Sequence, residues 1–154
     1  MKPINLLVVH CSATPAARDI GVVEIRAMHK AQGWKDVGYH YVIRRNGVVE
    51  KGRADSVMGA HVSGHNDGSL GICLVGGVKA DGKTGEANFS PAQYAALQTL
   101  LGTLHARYPA ARVCGHRDLS PDKNGDGRIT PNEWVKLCPT FDVEPWWAAR
   151  RPGR

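Results

Sequence analysis

Two continuous apolar runs constrain the fold of this 154-residue chain more than any other feature. They are residues 4–10 (INLLVVH) and residues 70–76 (LGICLVG). A strand that is apolar at nearly every position must be covered on both faces, which is typical of central strands in parallel or mixed sheets. Neither run approaches the roughly 18 apolar residues of a membrane-spanning helix. We therefore expect a sheet with helices packed against it.

Local signals divide the rest of the chain into alternating strands and helices. Asn46-Gly47 lies between two short segments of strand character and predicts a β-hairpin. Because strands and helices interleave, the predicted class is α/β, a single domain over residues 1–154 with a mixed central sheet flanked by helices. We further predict a helix over residues 21–32, a loop over 79–88, a strand over 111–114 and a last helix capped by Asp142.

Residues 90–108 carry the clearest helix signal. Ser90 is a suitable N-cap, Pro91 fits the first helical position, and Gln93 can complete a capping box. The predicted helix has one apolar stripe for burial in the core. The stripe consists of Tyr94, Leu97, Leu101, Leu104 and Tyr108.

The charge of the chain suggests an anionic partner without identifying it. Lys and Arg number 20 against 14 Asp and Glu, a formal net charge of +6. No basic helix, zinc finger or aromatic-stacking motif is present, so a nucleic-acid partner is not predicted. Basic residues concentrate at Arg44, Arg45, Arg150, Arg151 and Arg154.

The four cysteines are too few for a disulfide scaffold, so we expect reduced thiols. The first apolar run is also too short for a secretory signal and leads directly into His10. The chain is therefore expected to be made in the cytoplasm.

Three residues at or beyond predicted strand ends form a candidate metal site. His10 ends the first strand, His116 follows the strand over 111–114, and Cys138 lies farther along the chain. Two imidazoles and one thiolate suit Zn²⁺ and leave a fourth position for water, as in catalytic sites. These residues form no local motif, so structural histidines are an alternative, and Cys114 is an alternative ligand.

Four segments that contain or adjoin these residues resemble a known family. They are residues 9–14 (VHCSAT), 36–41 (DVGYHY), 69–77 (SLGICLVGG) and 138–142 (CPTFD). In this order they resemble the zinc N-acetylmuramoyl-L-alanine amidases, most closely the phage lysozyme-type enzymes and more distantly animal peptidoglycan-recognition proteins. The resemblance implies a mixed sheet with helices and a zinc site in a surface groove.

The resemblance also implies roles for individual residues. His10, His116 and Cys138 are the implied zinc ligands, and a zinc-bound water would have a pKa of about 7. Tyr39 and Lys136 match the two catalytic positions of the family. Either side chain could stabilise the oxyanion, Tyr39 could orient the water, and Lys136 could assist the leaving amine. A core tyrosine and a solvated lysine are the structural alternatives. His61 matches a histidine beside the groove and is expected to contact substrate.

Residues 120–134 are predicted to form an insertion with a second metal signature. The twelve residues 122–133 (DKNGDGRITPNE) fit the calcium loop of an EF-hand. A bound Ca²⁺ would have a structural role, ordering the segment that leads to Lys136 and Cys138. Ordinary turn chemistry and a capping box from Thr130 to Glu133 are the alternative. The predicted calcium ligands are Asp122, Asn124, Asp126, the Arg128 carbonyl and Glu133.

The implied function is that of an endolysin-type peptidoglycan hydrolase, which cleaves the amide between N-acetylmuramic acid and L-alanine. The alternative is a non-catalytic peptidoglycan-recognition module. Such modules typically lose the cysteine ligand, so Cys138 favours the enzyme. The expected partners are the muramyl peptide and the anionic cell envelope, and the chain is expected to be a monomer. It would reach the wall from the bacterial cytoplasm through a pore or another export route.

Overall fold

The computed structural model describes residues 1–127, 129–134 and 137–152. These residues form a five-stranded mixed sheet, a separate two-stranded sheet and three α-helices. Short 3₁₀ turns cover His116–Leu119 and Pro131–Glu133. The strands are β1 (Leu6–Cys11), β2 (Thr14–Pro15), β3 (Tyr41–Ile43), β4 (Val49–Lys51), β5 (Ser69–Leu74), β6 (Gly77–Val78) and β7 (Arg112–Gly115), and the helices are α1 (Val22–Ala31), α2 (Pro91–Arg107) and α3 (Val143–Ala148).

The two apolar runs form the adjacent strands β1 and β5 near the centre of the large sheet. The strand order is β4-β3-β5-β1-β7, and β1 pairs in parallel with both β5 and β7. Strand β3 is parallel to β5, while the hairpin partners β3 and β4 are antiparallel. The predicted α/β class, the mixed sheet and the hairpin at Asn46-Gly47 are therefore confirmed.

The helices cover the two faces of this sheet. On one face, Leu97 and Leu101 of α2 and Trp147 of α3 belong to a core cluster with alternate residues of β1 and β5. On the other face, Val22 and Ile25 of α1 join a second cluster that includes buried residues of β3 and β5. Because side chains alternate along a strand, His10 lies on the face opposite Cys11, as predicted.

The start of α2 follows the predicted capping box. The Ser90 hydroxyl accepts the backbone N–H of Gln93 at 3.1 Å, and the Gln93 amide oxygen accepts the Ser90 N–H at 2.9 Å. The Gln93 side-chain nitrogen also donates to the carbonyls of Ile43 and Val75. The same fully buried side chain therefore caps the helix and joins it to the sheet.

Three details differ from the prediction. Asp142 occupies the N-cap position of α3, but its side chain makes no capping hydrogen bond and pairs with Arg117 instead. Strand β7 ends at Gly115, one residue later than expected, directly before His116. The small β2–β6 sheet was not predicted because each strand has only two residues. Across the described residues, no helix has the length and apolar character needed to cross a membrane.

Candidate metal centre and active site

The three predicted zinc ligands meet at the carboxyl ends of β1 and β7. His10 lies near the end of β1, His116 begins the 3₁₀ turn after β7, and Cys138 lies in the segment before α3. One ring nitrogen from each histidine and the cysteine Sγ all lie within 4.8 Å of one another. A tetrahedral zinc ion with bonds of 2.0–2.3 Å separates its ligand atoms by roughly 3.3–3.8 Å. The spacing and the donor types both fit zinc.

Two backbone hydrogen bonds fix Cys138 in this centre. The N–H of Cys11 donates to the Cys138 Sγ at 3.0 Å, and the N–H of Arg117 donates to the Cys138 carbonyl at 3.0 Å. Burial raises the pKa of the Cys138 thiol, whereas the Cys11 N–H at the sulfur favours the thiolate. A divalent cation at this position would deprotonate a coordinating thiol outright.

Tyr39 lies beside the metal centre. Its ring centroid is 5.1 Å from that of His10, and burial raises the pKa of Tyr39 well above its usual range. The phenol therefore remains protonated, which is the state in which its hydroxyl can donate a hydrogen bond. The other predicted catalytic residue, Lys136, lies outside the described residues.

His61 directly contacts His10, one of the predicted metal ligands. Its Nδ1 is 2.8 Å from the Nε2 of His10, and its Nε2 is 3.0 Å from the hydroxyl of Ser69. Burial lowers the pKa of His61 to about 3. Both ring nitrogens of His61 therefore have partners within the protein. The expected contact between His61 and the substrate stays a prediction.

A surface groove of about 940 Å³ opens beside the metal centre. His61 and His116 line it on the side of the sheet, and Trp34 contributes an aromatic ring. Asp122 and Ile129, from the predicted insertion, also line it. The metal centre thus has an adjoining space in which a peptide or sugar chain could lie, and the insertion forms part of its border.

The remaining cysteines are buried. Cys114, the alternative ligand, is fully buried in a small cluster with Val8 and Val62, and burial raises its pKa to about 12. Its side chain is therefore directed into the core, and Cys138 joins His10 and His116 instead. Cys11 and Cys73 are buried thiols, as expected.

The predicted calcium loop brings three carboxylates together. One oxygen each from Asp122, Asp126 and Glu133 lies within 4.8 Å of the others. However, these carboxylates also accept backbone hydrogen bonds, for example from Gly127 to Asp122 at 2.7 Å and from Thr130 to Glu133 at 3.0 Å. Such bonds are typical of turns without a metal.

Among the residues that the structure describes around this loop, no helix–loop–helix pair is present. The last residues of the loop, Pro131–Glu133, form a 3₁₀ turn rather than the start of an α-helix. One predicted ligand, Arg128, lies outside the described residues. The calcium ligands, including Asn124, therefore remain a prediction.

Arg117 is a site residue that the sequence analysis missed. Its guanidinium lies 3.9 Å from the centre of the Trp134 ring, and its Nη2 donates to Asp142 at 2.6 Å. The Arg117 side chain thus joins the predicted insertion to the N-terminus of α3. Its backbone N–H donates to the carbonyl of Cys138. In the sequence, only its position directly after His116 pointed to Arg117. That position does not indicate which residues Arg117 contacts.

Comparisons with known proteins identify the family. The N-acetylmuramoyl-L-alanine amidase family matches residues 1–132 of this chain. The endolysin of Klebsiella phage KP32 is 50% identical over 139 residues, covering 90% of this chain and 82% of the relative. The endolysin of Escherichia phage T7 is 45% identical over 143 residues, covering 93% and 85%.

Solved structures share the same fold. The Ph2119 endolysin from a Thermus scotoductus bacteriophage aligns with a TM-score of 0.70 and 25% identity, over 97% of this chain and 86% of that one. The bumblebee peptidoglycan-recognition protein PGRP-SA aligns with a TM-score of 0.71 and 22% identity, over 95% and 81%, which shows the fold alone. From the family match and these relatives, the chain belongs to the N-acetylmuramoyl-L-alanine amidase family.

Proposed function

We propose that this peptidoglycan amidase is zinc-dependent and cleaves the amide between N-acetylmuramic acid and L-alanine, with His10, His116 and Cys138 as the zinc ligands. The observation that carries the proposal is the convergence of these donor atoms, from three separate segments, within 4.8 Å. A zinc ion held there would lower the pKa of a bound water to about 7 and polarise the scissile carbonyl.

Tyr39 and Lys136 act on the reacting groups in this proposal. The protonated phenol of Tyr39 donates a hydrogen bond to the carbonyl oxygen of the scissile amide as negative charge develops there. The ammonium of Lys136 stabilises the same charge or assists the leaving amine. The role of Lys136 rests on the family resemblance, because this residue lies outside the described residues.

The substrate occupies the groove beside the metal centre in this proposal. A muramyl peptide has sugar and peptide parts on either side of the scissile amide, and the groove of about 940 Å³ offers room for both. The net charge of +6 favours adhesion to an anionic envelope. The enzyme acts as a monomer that is made in the bacterial cytoplasm and reaches the wall through a pore or another export route.

Metal analysis coupled to product analysis tests this function. Purified protein is expected to contain about one zinc ion per chain and to release new L-alanine N-termini from purified peptidoglycan. New reducing ends would instead identify a glycosidase. Peptidoglycan binding without any released amino groups would support the non-catalytic recognition module, and absence of zinc would contradict the metal centre.

A further inference from the structure

We infer that His61 is a positioning residue, which holds His10 in the tautomer whose Nδ1 lone pair binds the metal. This inference rests on the proposed zinc centre and assigns His61 a role beside that centre. It follows from the direction of three consecutive hydrogen bonds and from the close packing around the His61 ring.

Ser69 determines which atom is the donor in each of these hydrogen bonds. The Ser69 hydroxyl lies 3.0 Å from the carbonyl of Asn66, and a carbonyl oxygen can only accept. The single hydroxyl hydrogen of Ser69 is therefore used in this bond. Consequently Ser69 accepts from the Nε2–H of His61, which lies 3.0 Å away.

This direction determines the tautomer of both histidines. A neutral imidazole carries one N–H, so His61 with its hydrogen on Nε2 presents Nδ1 as an acceptor. His10 must then donate its Nε2–H across the 2.8 Å that separates it from His61. The lone pair of His10 consequently lies on Nδ1, and a metal-binding histidine needs a lone pair on the nitrogen that faces the metal.

The His61 ring is held in place from several sides. The backbone N–H groups of His61 and Val62 both donate to the Asn66 side-chain oxygen at 2.9 Å. A Cβ added at Gly71 in β5 would lie only 2.6 Å from the ring, and one at Gly59 only 2.7 Å. The ring thus packs directly on backbone, which gives it the restricted position that a support for a metal ligand needs.

The neighbouring histidine His40 has different partners. Its ring lies 5.8 Å from that of His61, but its Nε2 donates to the Val57 carbonyl and its Nδ1 accepts the Gly71 N–H. His40 therefore supports the backbone around the site. His61 is the imidazole that forms the hydrogen bond to the ligand His10.

Zinc affinity of matched variants tests the inference. His61→Leu removes the acceptor, whereas His61→Asn retains one, because the Asn Oδ1 lies close to the position of the His Nδ1. We expect His61→Leu to lower zinc affinity by about 10–100-fold and His61→Asn to restore it to within about threefold of wild type. The measurement is competition with a chromophoric chelator. His105→Ala, on α2, serves as a histidine control with unchanged affinity.

Two further readouts separate positioning from a structural role. The absorption spectrum of the Co²⁺-substituted protein reports ligand geometry and is expected to change in His61→Leu but not in His61→Asn. Ser69→Ala keeps the His61 ring but removes the hydroxyl that fixes its tautomer. We therefore expect a loss of zinc affinity that is smaller than the loss in His61→Leu. This variant keeps the test decisive if His61→Leu does not fold.

The possible outcomes are distinct. If wild type and His61→Leu bind zinc equally, or if folded His61→Asn loses as much affinity as His61→Leu, the inference is wrong and the zinc centre stands. Unchanged affinity in Ser69→Ala would also contradict it. If the wild-type protein binds no zinc, the proposed metal centre itself fails, and the role of His61 fails with it.

Discussion

The guanidinium of Arg117 lies over the indole ring of Trp134, 3.9 Å from its centre. This contact joins the turn that begins at His116, a proposed metal ligand, to the loop of residues 120–134 that borders the groove. Arg117 is only 7% exposed, and its backbone N–H donates to the carbonyl of Cys138. One residue therefore connects this loop with two of the segments that carry the proposed metal ligands.

Replacement of Arg117 should destabilise the protein. Arg117→Ala removes a buried stacking contact and the ion pair with Asp142, so we expect a loss of about 1–3 kcal/mol in the free energy of unfolding. Arg150→Ala is the control, because Arg150 is exposed and lies farther from its aromatic partner Trp146. Its expected loss is below about 0.5 kcal/mol. Denaturant unfolding measures both, and equal effects would contradict the prediction.

Loss of the thiolate ligand should remove zinc and activity together. Cys138→Ser replaces a soft donor with a weak one, so zinc content and amide hydrolysis are both expected to fall close to zero. Cys114→Ala is the matched control, since the Cys114 thiol is buried among Val8 and Val62. That variant should keep its zinc. Retained zinc in Cys138→Ser together with lost zinc in Cys114→Ala would assign Cys114 as the ligand.

Loss of the Tyr39 hydroxyl should separate metal binding from rate. Tyr39→Phe keeps the ring beside His10 but removes the proposed donor to the carbonyl oxygen, so kcat is expected to fall by about 10²–10³-fold with zinc content unchanged. Steady-state kinetics and metal analysis of the same preparation provide the measurement. An unchanged kcat would show that the hydroxyl has no catalytic role.

Calcium binding at residues 122–133 can be tested on zinc-loaded protein. If the loop binds Ca²⁺, the melting temperature should rise as Ca²⁺ is added to EDTA-treated, zinc-restored protein, since a ligand that binds only the folded state stabilises it. Glu133→Gln should abolish most of this rise, because it removes one of the three clustered carboxylates. If Ca²⁺ shifts neither melting temperature nor activity, ordinary turn chemistry is the correct interpretation.

His29 should make stability depend on pH. Burial lowers the pKa of His29, whose Nδ1 accepts the N–H of Gly38 at 2.8 Å. The unfolded chain therefore binds a proton more readily than the folded one, and stability falls as pH drops below the unfolded pKa of about 6.5. Between pH 7.5 and 5.5, metal-free His29→Asn should lose less stability than metal-free wild type. Equal pH dependence would exclude this contribution.

The parts of the fold that could be predicted from sequence are those encoded by neighbouring residues. The runs that became β1 and β5 are apolar because both sheet faces are covered, and the Ser90 capping box lies within four residues. Strand β7 begins and ends one residue later than predicted. The short β2–β6 pair has no local sequence signal comparable to an apolar run or a capping box.

The site was harder to predict because its contacts are distant in sequence. His10, His116 and Cys138 form no spacing motif, so the family resemblance was needed to select them. The hydrogen bond from His10 to His61 spans 51 positions, and the Arg117–Trp134 contact depends on how the insertion folds back. Local sequence patterns do not indicate which distant residues will form such contacts.

The groove combines residues that follow the sheet strands with residues of a loop outside the sheet. The proposed metal ligands His10 and His116 lie at the ends of sheet strands, whereas Asp122 and Ile129 on the groove border belong to a loop outside the sheet. Changes in the length or composition of that loop would therefore alter the shape of the groove without moving those strands. The same loop carries Trp134, which packs on Arg117 beside Cys138, so a redesigned loop that keeps Trp134 should reshape the groove and leave that contact in place.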